Sequence, residues 1–411
     1  MADMVAITGL VVRRGRSTVL DGAELVLEEG AFALLQGDNG AGKSTLIQAI
    51  LGLLPLEHGS IHLGGELVRD GDGRRRRRPP VPLGVLLQTD GDVRDQTVRH
   101  HLETAAALGQ CHATSEELEA LLQASGLRHR MEDRMVELSE GQRRRVGLLG
   151  ALLPGLVEGG GRLVVLDEPT AGLDEQGVEI VQSMVQEAVA RGSTVLLGTH
   201  HPERFPTASH RLLVHDGKVT VDALAPAKNE RADLPALAHS LRRPSPFTLG
   251  LRYAWSGGTP LSGAVPGVLM CLGLAALLLQ PDLVGSLSGT TTAGLLLLPS
   301  LIAGLAGDAS LLTLRRDRAY ARLWALGCRP FDLLTPAMLG LAGVAGMAAV
   351  LGHELQLQWL AMGGLTAVTA SMIVRAGDLL GLRLARPEAL QLRLLLPILV
   401  LPFGLVLGMM A

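Results

Sequence analysis

The hydrophobic and polar positions follow two different patterns along the chain. Through residues 1–235, short apolar runs alternate with polar turns, as expected of strands joined to amphipathic helices. Beyond residue 260, apolar runs of membrane-spanning length are separated by short arginine-rich stretches. We therefore predict an α/β domain over residues 1–222, a linker over 223–255, and an all-α transmembrane domain of about five helices over 256–411.

The apolar half contains five segments that are long enough to consider as membrane spans. The loops 315–330 and 375–393 contain several arginines each, whereas the alternate loops 281–289 and 352–358 contain no arginine or lysine. Because basic loops stay on the cytoplasmic side, this placement predicts that the first half is cytoplasmic and that the C-terminus is external. An odd number of spans leaves a re-entrant hairpin open as the alternative for the last segment. The predicted spans are 260–280, 290–314, 333–351, 359–374 and 394–411.

Composition supports this division and narrows the function classes. The 411 residues are 47% hydrophobic, which is high for a purely soluble protein, and the formal net charge is −3. A chain without a global basic field is not expected to bind nucleic acid. Its three cysteines lie far apart, which indicates neither a disulfide framework nor a metal site. The first residues lack the basic and apolar regions of a signal peptide, so insertion would depend on the later apolar segments.

The stretch GDNGAGKST, residues 37–45, fits the phosphate-binding loop pattern GxxxxGK[ST]. It lies between a predicted strand at 31–35 and a predicted helix at 46–53, which is the context that the motif requires. Lys43 would reach the β- and γ-phosphates of ATP, and the Ser44 hydroxyl would hold Mg²⁺. The predicted ATP-binding residues are Gly37, Asp38, Asn39, Gly40, Ala41, Gly42, Lys43, Ser44 and Thr45.

Two later apolar strands end in residues that suit phosphate hydrolysis. The strand at 163–166 is followed by Asp167, which can bind Mg²⁺, and by Glu168, which can deprotonate the attacking water. The strand at 194–198 leads to His200, which could donate a hydrogen bond to the γ-phosphate. The alternative is that these residues are polar strand ends without a catalytic role.

The series GDNGAGKST, Gln88, LSEGQ at 138–142, VVLDEP, AGLD and His200 resembles the ATPase domain of ABC transporters over residues 4–222. The resemblance implies that two such domains pair head to tail, with a second copy or a related subunit as the partner. ATP would lie between the P-loop of one domain and LSEGQ of the other, where Ser139 and Gly141 touch the γ-phosphate.

The same resemblance assigns roles around this ATP. Glu168 would be the general base, Gln88 would sense Mg²⁺ and the attacking water, and Asp174 would shape the dimer interface. Arg14 lies where such domains place an aromatic residue against adenine, so it either stacks on the base or is a solvated turn residue. The predicted catalytic residues are Glu168, His200 and Gln88, and the predicted Mg²⁺ ligands are Ser44, Gln88 and Asp167.

Only a narrower resemblance suggests which compound is transported. LSEGQRRRVGLLGALL and GTHHPERF most resemble the ATP-binding subunit of the haem exporter of cytochrome c maturation, and the apolar half is loosely similar to its membrane subunit. This implies a multi-pass inner-membrane protein in which two subunits are fused. The alternatives are export of a lipid, drug or other amphipathic compound, and a mechanotransmitter that moves a partner protein without transport.

Three further features have two interpretations each. The five arginines at 74–78 either contact anionic lipid or form a solvated loop, which is the interpretation that we favour. In the loop 315–330, Tyr320 and Trp324 lie at helical spacing, so a short helix there either docks beside Gln88 or lies on lipid headgroups. Asp308 is either a functional acid at membrane depth or an interfacial residue, and His353 and Glu354 lie in a predicted outer loop.

Overall fold

The computed structural model describes residues 3–88, 93–225, 234–240, 243–256, 264–278, 284, 288–306, 309–316 and 319–381. These residues form two compact units. The first consists of Met1–Pro244 together with Asp317–Arg329, and the second contains Ser245–Arg316 and the chain from Pro330 onward. The predicted span at 394–411 and Asp308 lie outside the described residues.

Among the residues that the structure describes, twelve strands form three sheets, of which the first two dominate the first unit. An antiparallel sheet has the order β2-β1-β4-β5, and a six-stranded sheet has the order β11-β10-β3-β9-β8-β6. The strands are β1 (Asp3–Arg14), β2 (Ser17–Glu28), β3 (Phe32–Gln36), β4 (His58–Leu63), β5 (Glu66–Asp70), β6 (Leu83–Leu86), β7 (Cys111–His112), β8 (Leu163–Asp167), β9 (Thr194–Gly198), β10 (His210–His215), β11 (Lys218–Ala223) and β12 (Ala238–His239).

Helices cover the six-stranded sheet and build the second unit. The helices of the first unit are α1 (Lys43–Ile50), α2 (Val98–Leu108), α3 (Ser115–Ala124), α4 (Glu140–Leu152), α5 (Glu175–Ala190) and α10 (Tyr320–Ala325). Those of the second are α6 (Pro246–Ser256), α7 (Ala264–Leu278), α8 (Gly289–Leu305), α9 (Ala309–Arg316), α11 (Leu334–Leu351) and α12 (Leu357–Gly381).

The core of the six-stranded sheet follows directly from its sequence. Strands β8 and β9 are buried at every position, and β3 is buried at every position but the last. Continuous apolar runs of this kind are typical of parallel strands covered on both faces. β10, β3, β9, β8 and β6 pair in parallel, and β11 adds an antiparallel edge. The stretch RLLVHDGKVT predicts a closing hairpin turned at Asp216 and Gly217, and the pairing of β10 with β11 confirms it.

Other local predictions needed correction. The sequence predicts short strands over 4–36 with turns at 14–16 and 29–30; the structure confirms both turns, but β1 and β2 are longer than predicted, with 12 residues each. The apolar pattern of 92–135 predicts helix with a capped start at Ser115, and the structure has two separate helices there, α2 and α3. The predicted span at 290–314 is divided between α8 and α9. Gly307 and Asp308, which lie between these helices in the sequence, have low helix propensity.

Part of the predicted linker packs on the first unit. The Arg191 guanidinium donates hydrogen bonds to the carbonyls of Leu234 and Pro235, at 2.6 and 2.8 Å. Leu237 is buried, and β12 pairs with β7 in the residues that follow. The chain therefore stays attached to the α/β unit through residues 234–240, and α6 begins only at Pro246.

In the second unit, α8, α11 and α12 pack against one another, and α7 packs against α8 and α11. Among the described residues, two helices are long and apolar enough to cross a membrane, Leu334–Leu351 and Leu357–Ala376. The apolar helices Ala264–Leu278 and Thr291–Leu305 are shorter. The structure therefore supports two of the five predicted spans by length and composition.

Candidate functional site

The polar residues predicted to act on phosphate follow strands that are neighbours in the six-stranded sheet. The loop that begins at Gly37 follows β3, and Thr199 and His200 follow β9. Asp167 ends β8, and Gln88 comes two residues after β6. Because β3, β9, β8 and β6 are parallel and adjacent, their carboxyl ends share one edge of the sheet, the usual ligand-binding edge of such folds.

The glycines of the loop adopt conformations that other residues avoid. Gly37, Gly40 and Gly42 have φ angles of 146°, 84° and 111°. A Cβ atom on Gly37 would lie 2.6 Å from the carbonyl oxygen of Val214, and one on Gly42 would lie 3.0 Å from a methyl carbon of Val19. The backbone therefore follows a path that positive φ angles permit and side chains would block.

Lys43 closes this loop from the first position of α1. Its ammonium group donates hydrogen bonds to the carbonyls of Gly37, at 2.7 Å, and Asp38, at 3.2 Å. The next residue, Ser44, hydrogen-bonds to the Asp167 carboxylate with its side chain. The buried Lys43, the N-terminus of α1 and the Ser44–Asp167 pair therefore lie together at this loop, where they suit an anion and its metal ion.

Two carboxylates lie side by side at the end of β8. Asp167 is 3% exposed and Glu168 is 9% exposed. Burial raises the pKa of Asp167 above its usual range, and the negative charge of Glu168 raises it further. The hydrogen bond from Ser44 and the positive charges of Arg144 and Lys43 lower this pKa and so oppose the rise. A cation bound here would favour the ionised form of this acid.

The backbone of Glu168 adopts an unusual conformation. Its φ angle is +51°, in the left-handed region that non-glycine residues rarely adopt. The Glu168 Oε1 atom accepts no hydrogen bond among the described residues, although it is buried. The Nε2 atom of His200 lies 3.4 Å from it. The structure thus brings together the two predicted residues that would face an attacking water.

Ser139 and Gly141 lie elsewhere, at the start of α4. The Ser139 hydroxyl accepts from the Gln142 N–H, and the Gln142 side chain accepts from the Ser139 N–H, which forms a capping box. These residues do not follow any strand of the edge that carries the P-loop. Contact with the ATP of a partner domain stays a prediction for both. Asp174 caps α5 through the N–H of Gly177, at 2.9 Å.

Sequence reasoning missed Arg144, whose guanidinium reaches backbone carbonyls on two sides of the site. It donates to Asp167 and Glu168, at 3.1 and 2.6 Å, and to Leu87, which precedes Gln88, at 3.3 Å. The sequence signal was the run of three arginines after LSEGQ, which indicated only a basic start of the helix.

The 74–78 arginines form specific contacts within the first unit. Arg75 stacks over the indole ring of Trp324 in α10, with 5.3 Å between the guanidinium carbon and the ring centroid. Arg329 lies against the same ring at 4.4 Å. Arg74 pairs with Asp70 at 3.8 Å. The interpretation as a solvated loop is therefore wrong for Arg75, because a cation–π contact and α10 cover it.

Two other predicted features are placed as follows. The Arg14 guanidinium donates to the side chain of Gln48 in α1, so it lies beside the helix that follows the P-loop. The groove that receives α10 is lined by residues of α1, β5, β6 and the 74–78 loop, including Leu51, Val68 and Leu83. Leu83 begins β6 and Gln88 comes two residues after its end, so this contact lies at the other end of the strand from Gln88.

Comparison with known proteins agrees with this geometry. Residues 20–171 match the family model described as ABC transporter. "Nod factor export ATP-binding protein I" of Burkholderia pseudomallei (strain 1710b) is 33% identical over 233 residues, which cover 56% of this chain and 74% of that protein. The chain belongs to the ABC transporter family. It is an ABC ATPase, of a family whose members couple ATP hydrolysis to transport.

Two further relatives show how much of each protein the sequence match covers. The protein of the same name from Paraburkholderia xenovorans (strain LB400) is 34% identical over 205 residues, covering 49% of this chain and 64% of its own length. "Macrolide export ATP-binding/permease protein MacB" of Azoarcus sp. (strain BH72) is 33% identical over 214 residues, covering 50% of this chain and 31% of its own length. The chain thus spans less than two thirds of both relatives.

The residues of the ABC ATPase site fit ATP and Mg²⁺. The glycine cradle, Lys43 and the N-terminus of α1 suit a polyphosphate. Ser44 and Asp167 offer the oxygen ligands that Mg²⁺ prefers, and the buried Glu168 Oε1 is available to water.

Proposed function

We propose that this ABC protein is a half-molecule of an ATP-driven exporter that works as a dimer. The observation that carries the proposal is the pairing of Glu168 with His200 beside Asp167, Ser44 and Lys43 at one sheet edge. A second copy or a related ABC subunit would supply Ser139 and Gly141 to each ATP. The helical unit would be the membrane part, which makes the protein a multi-pass inner-membrane protein with its ATPase in the cytoplasm.

Different residues of this chain would bind the phosphates, hold Mg²⁺ and transfer the proton during hydrolysis. The glycine loop and Lys43 bind the phosphates, while Ser44, Gln88 and Asp167 would hold Mg²⁺. When bound, Mg²⁺ neutralises charge that develops on the phosphate oxygens. The Glu168 carboxylate takes a proton from the attacking water at Oε1, and His200 holds the γ-phosphate and Glu168 in register by hydrogen bonding.

Coupling to transport would run through α10. This helix belongs to the compact ATPase unit, although the segments on both sides of it in the sequence belong to the helical unit. Its Trp324 lies between Arg75 and Arg329, against the strand that leads to Gln88. A change of the Gln88 loop on ATP binding would therefore be transmitted to a segment tied covalently to the membrane helices.

For the substrate we propose an amphipathic compound. Relatives of the chain are named for export of Nod factor and of macrolides, and the macrolide protein combines an ATP-binding part and a permease in one chain. Export of haem for cytochrome c maturation is the narrower version, supported by the sequence resemblance in LSEGQRRRVGLLGALL and GTHHPERF.

Purified full-length protein in lipid nanodiscs tests the enzymatic half of the proposal. Glu168→Gln should bind ATP normally but lower the ATPase rate by about two orders of magnitude or more, because the general base is lost. Lys43→Ala should instead weaken ATP binding, measured with a fluorescent ATP analogue. A Glu168→Gln protein that turns over like the wild type would overturn the assignment of the base.

Deletion of the gene tests the substrate. Loss of haem-stained c-type cytochromes, restored by the wild type but not by Glu168→Gln, would establish the haem version. Unchanged cytochromes with increased sensitivity to amphipathic drugs would establish the broader exporter. A protein that hydrolyses ATP in vesicles, yet moves none of these compounds, would instead indicate the mechanotransmitter.

A further inference from the structure

Arg144 binds the backbone on both sides of the hydrolytic site at once. One terminal nitrogen donates to the carbonyls of Asp167 and Glu168, at 3.1 and 2.6 Å, and the other donates to the Leu87 carbonyl at 3.3 Å. Only arginine offers several donors in a fixed planar fork, so this arrangement depends on its side-chain geometry. Charge-assisted hydrogen bonds of this kind are stronger than those between neutral groups.

The hydrogen bond to Glu168 stabilises a residue that has a strained backbone conformation. Glu168 has a φ angle of +51°, a conformation that costs free energy for any residue with a Cβ atom. Its N–H donates to the Gly198 carbonyl at 2.9 Å, and its own carbonyl accepts from the Ala171 N–H at 3.3 Å. The bond from Arg144 is the shortest of the three and the one formed by a charged group.

The contact to Leu87 falls one residue before Gln88. The carbonyl of Leu87 belongs to the peptide group whose N–H is that of Gln88. Because the peptide group is planar, holding this carbonyl also fixes the orientation of the Gln88 N–H. Arg144 therefore joins the backbone of the proposed base to the backbone of the proposed metal-sensing residue.

The third connection is covalent. Arg144 lies in the first turns of α4, which begins at Glu140 and is capped by Ser139. A displacement of the start of α4 would therefore move the guanidinium, and with it the carbonyls of Leu87 and Glu168. Ser139 and Gly141 at this helix start are the residues proposed to meet the ATP of the partner domain.

We propose that Arg144 is a positioning residue for hydrolysis, which ties the start of α4 to the backbones of Glu168 and Gln88. It acts through those residues and touches no substrate. Occupancy of Ser139 and Gly141 by the partner's ATP would by this route align the base at the domain's own ATP. This inference rests on the proposed function, because it takes Glu168 as the base.

The test compares Arg144→Gln, Arg144→Lys and Arg145→Gln in full-length protein in nanodiscs. Arg145 is the matched control, since it carries the same charge on the next residue of α4 but donates to the Ser125 carbonyl, at 3.4 Å, away from the site. Three kinds of measurement are made: kcat and KM for ATP, affinity for a fluorescent ATP analogue, and hydrogen exchange of the backbone amides of Glu168, Thr170 and Ala171.

We expect Arg144→Gln to lower kcat about 10–100-fold with little change in KM or ATP affinity, as misplacement of a catalytic group does. Arg144→Lys should give an intermediate kcat, because a lysine reaches fewer carbonyls. The Glu168 and Ala171 amides should exchange faster in Arg144→Gln. In a Glu168→Gln background, Arg144→Gln should lower the residual rate no further, because the group that it positions is absent.

Three results would overturn the inference. The first is wild-type kcat and wild-type exchange at 168–171 in Arg144→Gln. The second is a loss of ATP affinity as large as the loss of kcat, which would indicate a general structural role. The third is the same effect in Arg145→Gln. Failure of the proposed function itself would appear separately, as wild-type turnover by Glu168→Gln, and the exchange data would still decide the role of Arg144.

Discussion

The edge of the six-stranded sheet and the packing of the helical unit are built by different means. At the sheet edge, hydrogen bonds and unusual backbone angles fix each residue, as for Lys43 on two carbonyls and Glu168 at positive φ. In the helical unit, glycines permit close contact, and a Cβ atom on Gly304 would lie 2.4 Å from the Ala367 carbonyl. The Ser300 hydroxyl, which donates to the Gly340 carbonyl, is a buried polar link there.

This difference teaches where sequence carries specific information. Positions with a special backbone angle or a directed hydrogen bond accept few residue types, so they leave a recognisable motif. Apolar helices that pack through small residues accept many sequences, and their composition indicates burial or membrane insertion without fixing partners. Further variants test this contrast in addition to Glu168→Gln, which has been described above.

After Glu168→Gln, the largest effect is expected at Gly37, where an alanine would combine a φ of 146° with a 2.6 Å contact to the Val214 carbonyl. The loop must shift, so Gly37→Ala should weaken ATP binding by at least about 10–100-fold through loss of charge-assisted hydrogen bonds to phosphate. Fluorescent ATP titration measures this. Gly15→Ala is the control, since Gly15 has a φ of +62° in a hairpin turn with open space around it. Equal affinities in both variants would contradict the proposed cradle.

The matched pair in the helical unit is Gly304 and Gly294, both in α8. Gly304→Ala places its Cβ against Ala367 and should cost about 1–3 kcal/mol, as overpacking does. Gly294→Ala meets nothing within 4 Å and should gain about 0.5–1 kcal/mol of helix stability. Thermal unfolding in detergent distinguishes the two signs. ATP affinity should stay unchanged in both, and a change would count against separate roles for the two units.

The smallest effect concerns a local signal in the α/β unit. The Thr114 hydroxyl accepts from the Glu117 N–H at 3.2 Å, and the Glu117 carboxylate accepts from the Thr114 N–H at 2.7 Å. Thr114→Ala removes half of this capping box and should destabilise the unit by about 1 kcal/mol in urea unfolding. Thr114→Ser keeps the hydroxyl and should restore most of the loss. Identical midpoints for alanine and wild type would show that the cap contributes nothing.

These cases also show how far the sequence predicts the molecule. The loop around Lys43, the buried strand before Asp167 and the hairpin at Asp216 were predictable because each signal is local. The cap of α3 was placed one residue late, at Ser115 instead of Thr114, because both residue types suit this position. The division of 290–314 into α8 and α9 was missed because apolar length outweighed the polar residues near its end.

The contacts of Arg144 and Arg75 could not have been predicted. The Leu87 carbonyl is 57 residues from Arg144 in the sequence, and the segment Ser245–Arg316 of the second unit lies between Arg75 and Trp324 in the sequence. An arginine in a basic run gives no sign of its acceptor, because the same pattern suits a solvated surface. Long-range polar contacts are thus the part of the site that only tertiary structure supplies.

The interrupted sequence of the first compact unit has a consequence for biosynthesis. Asp317–Arg329 completes this unit, but the ribosome makes it only after Ser245–Arg316. An emerging chain that ends at Pro244 therefore presents the groove beside Leu51 and Leu83 without α10 to cover it. Since domains fold as they leave the ribosome, the first unit reaches its final packing only after α6 to α9 have been made. Completion of this unit therefore waits for the synthesis of part of the second unit, so a chain released early would be recognisable by its open groove.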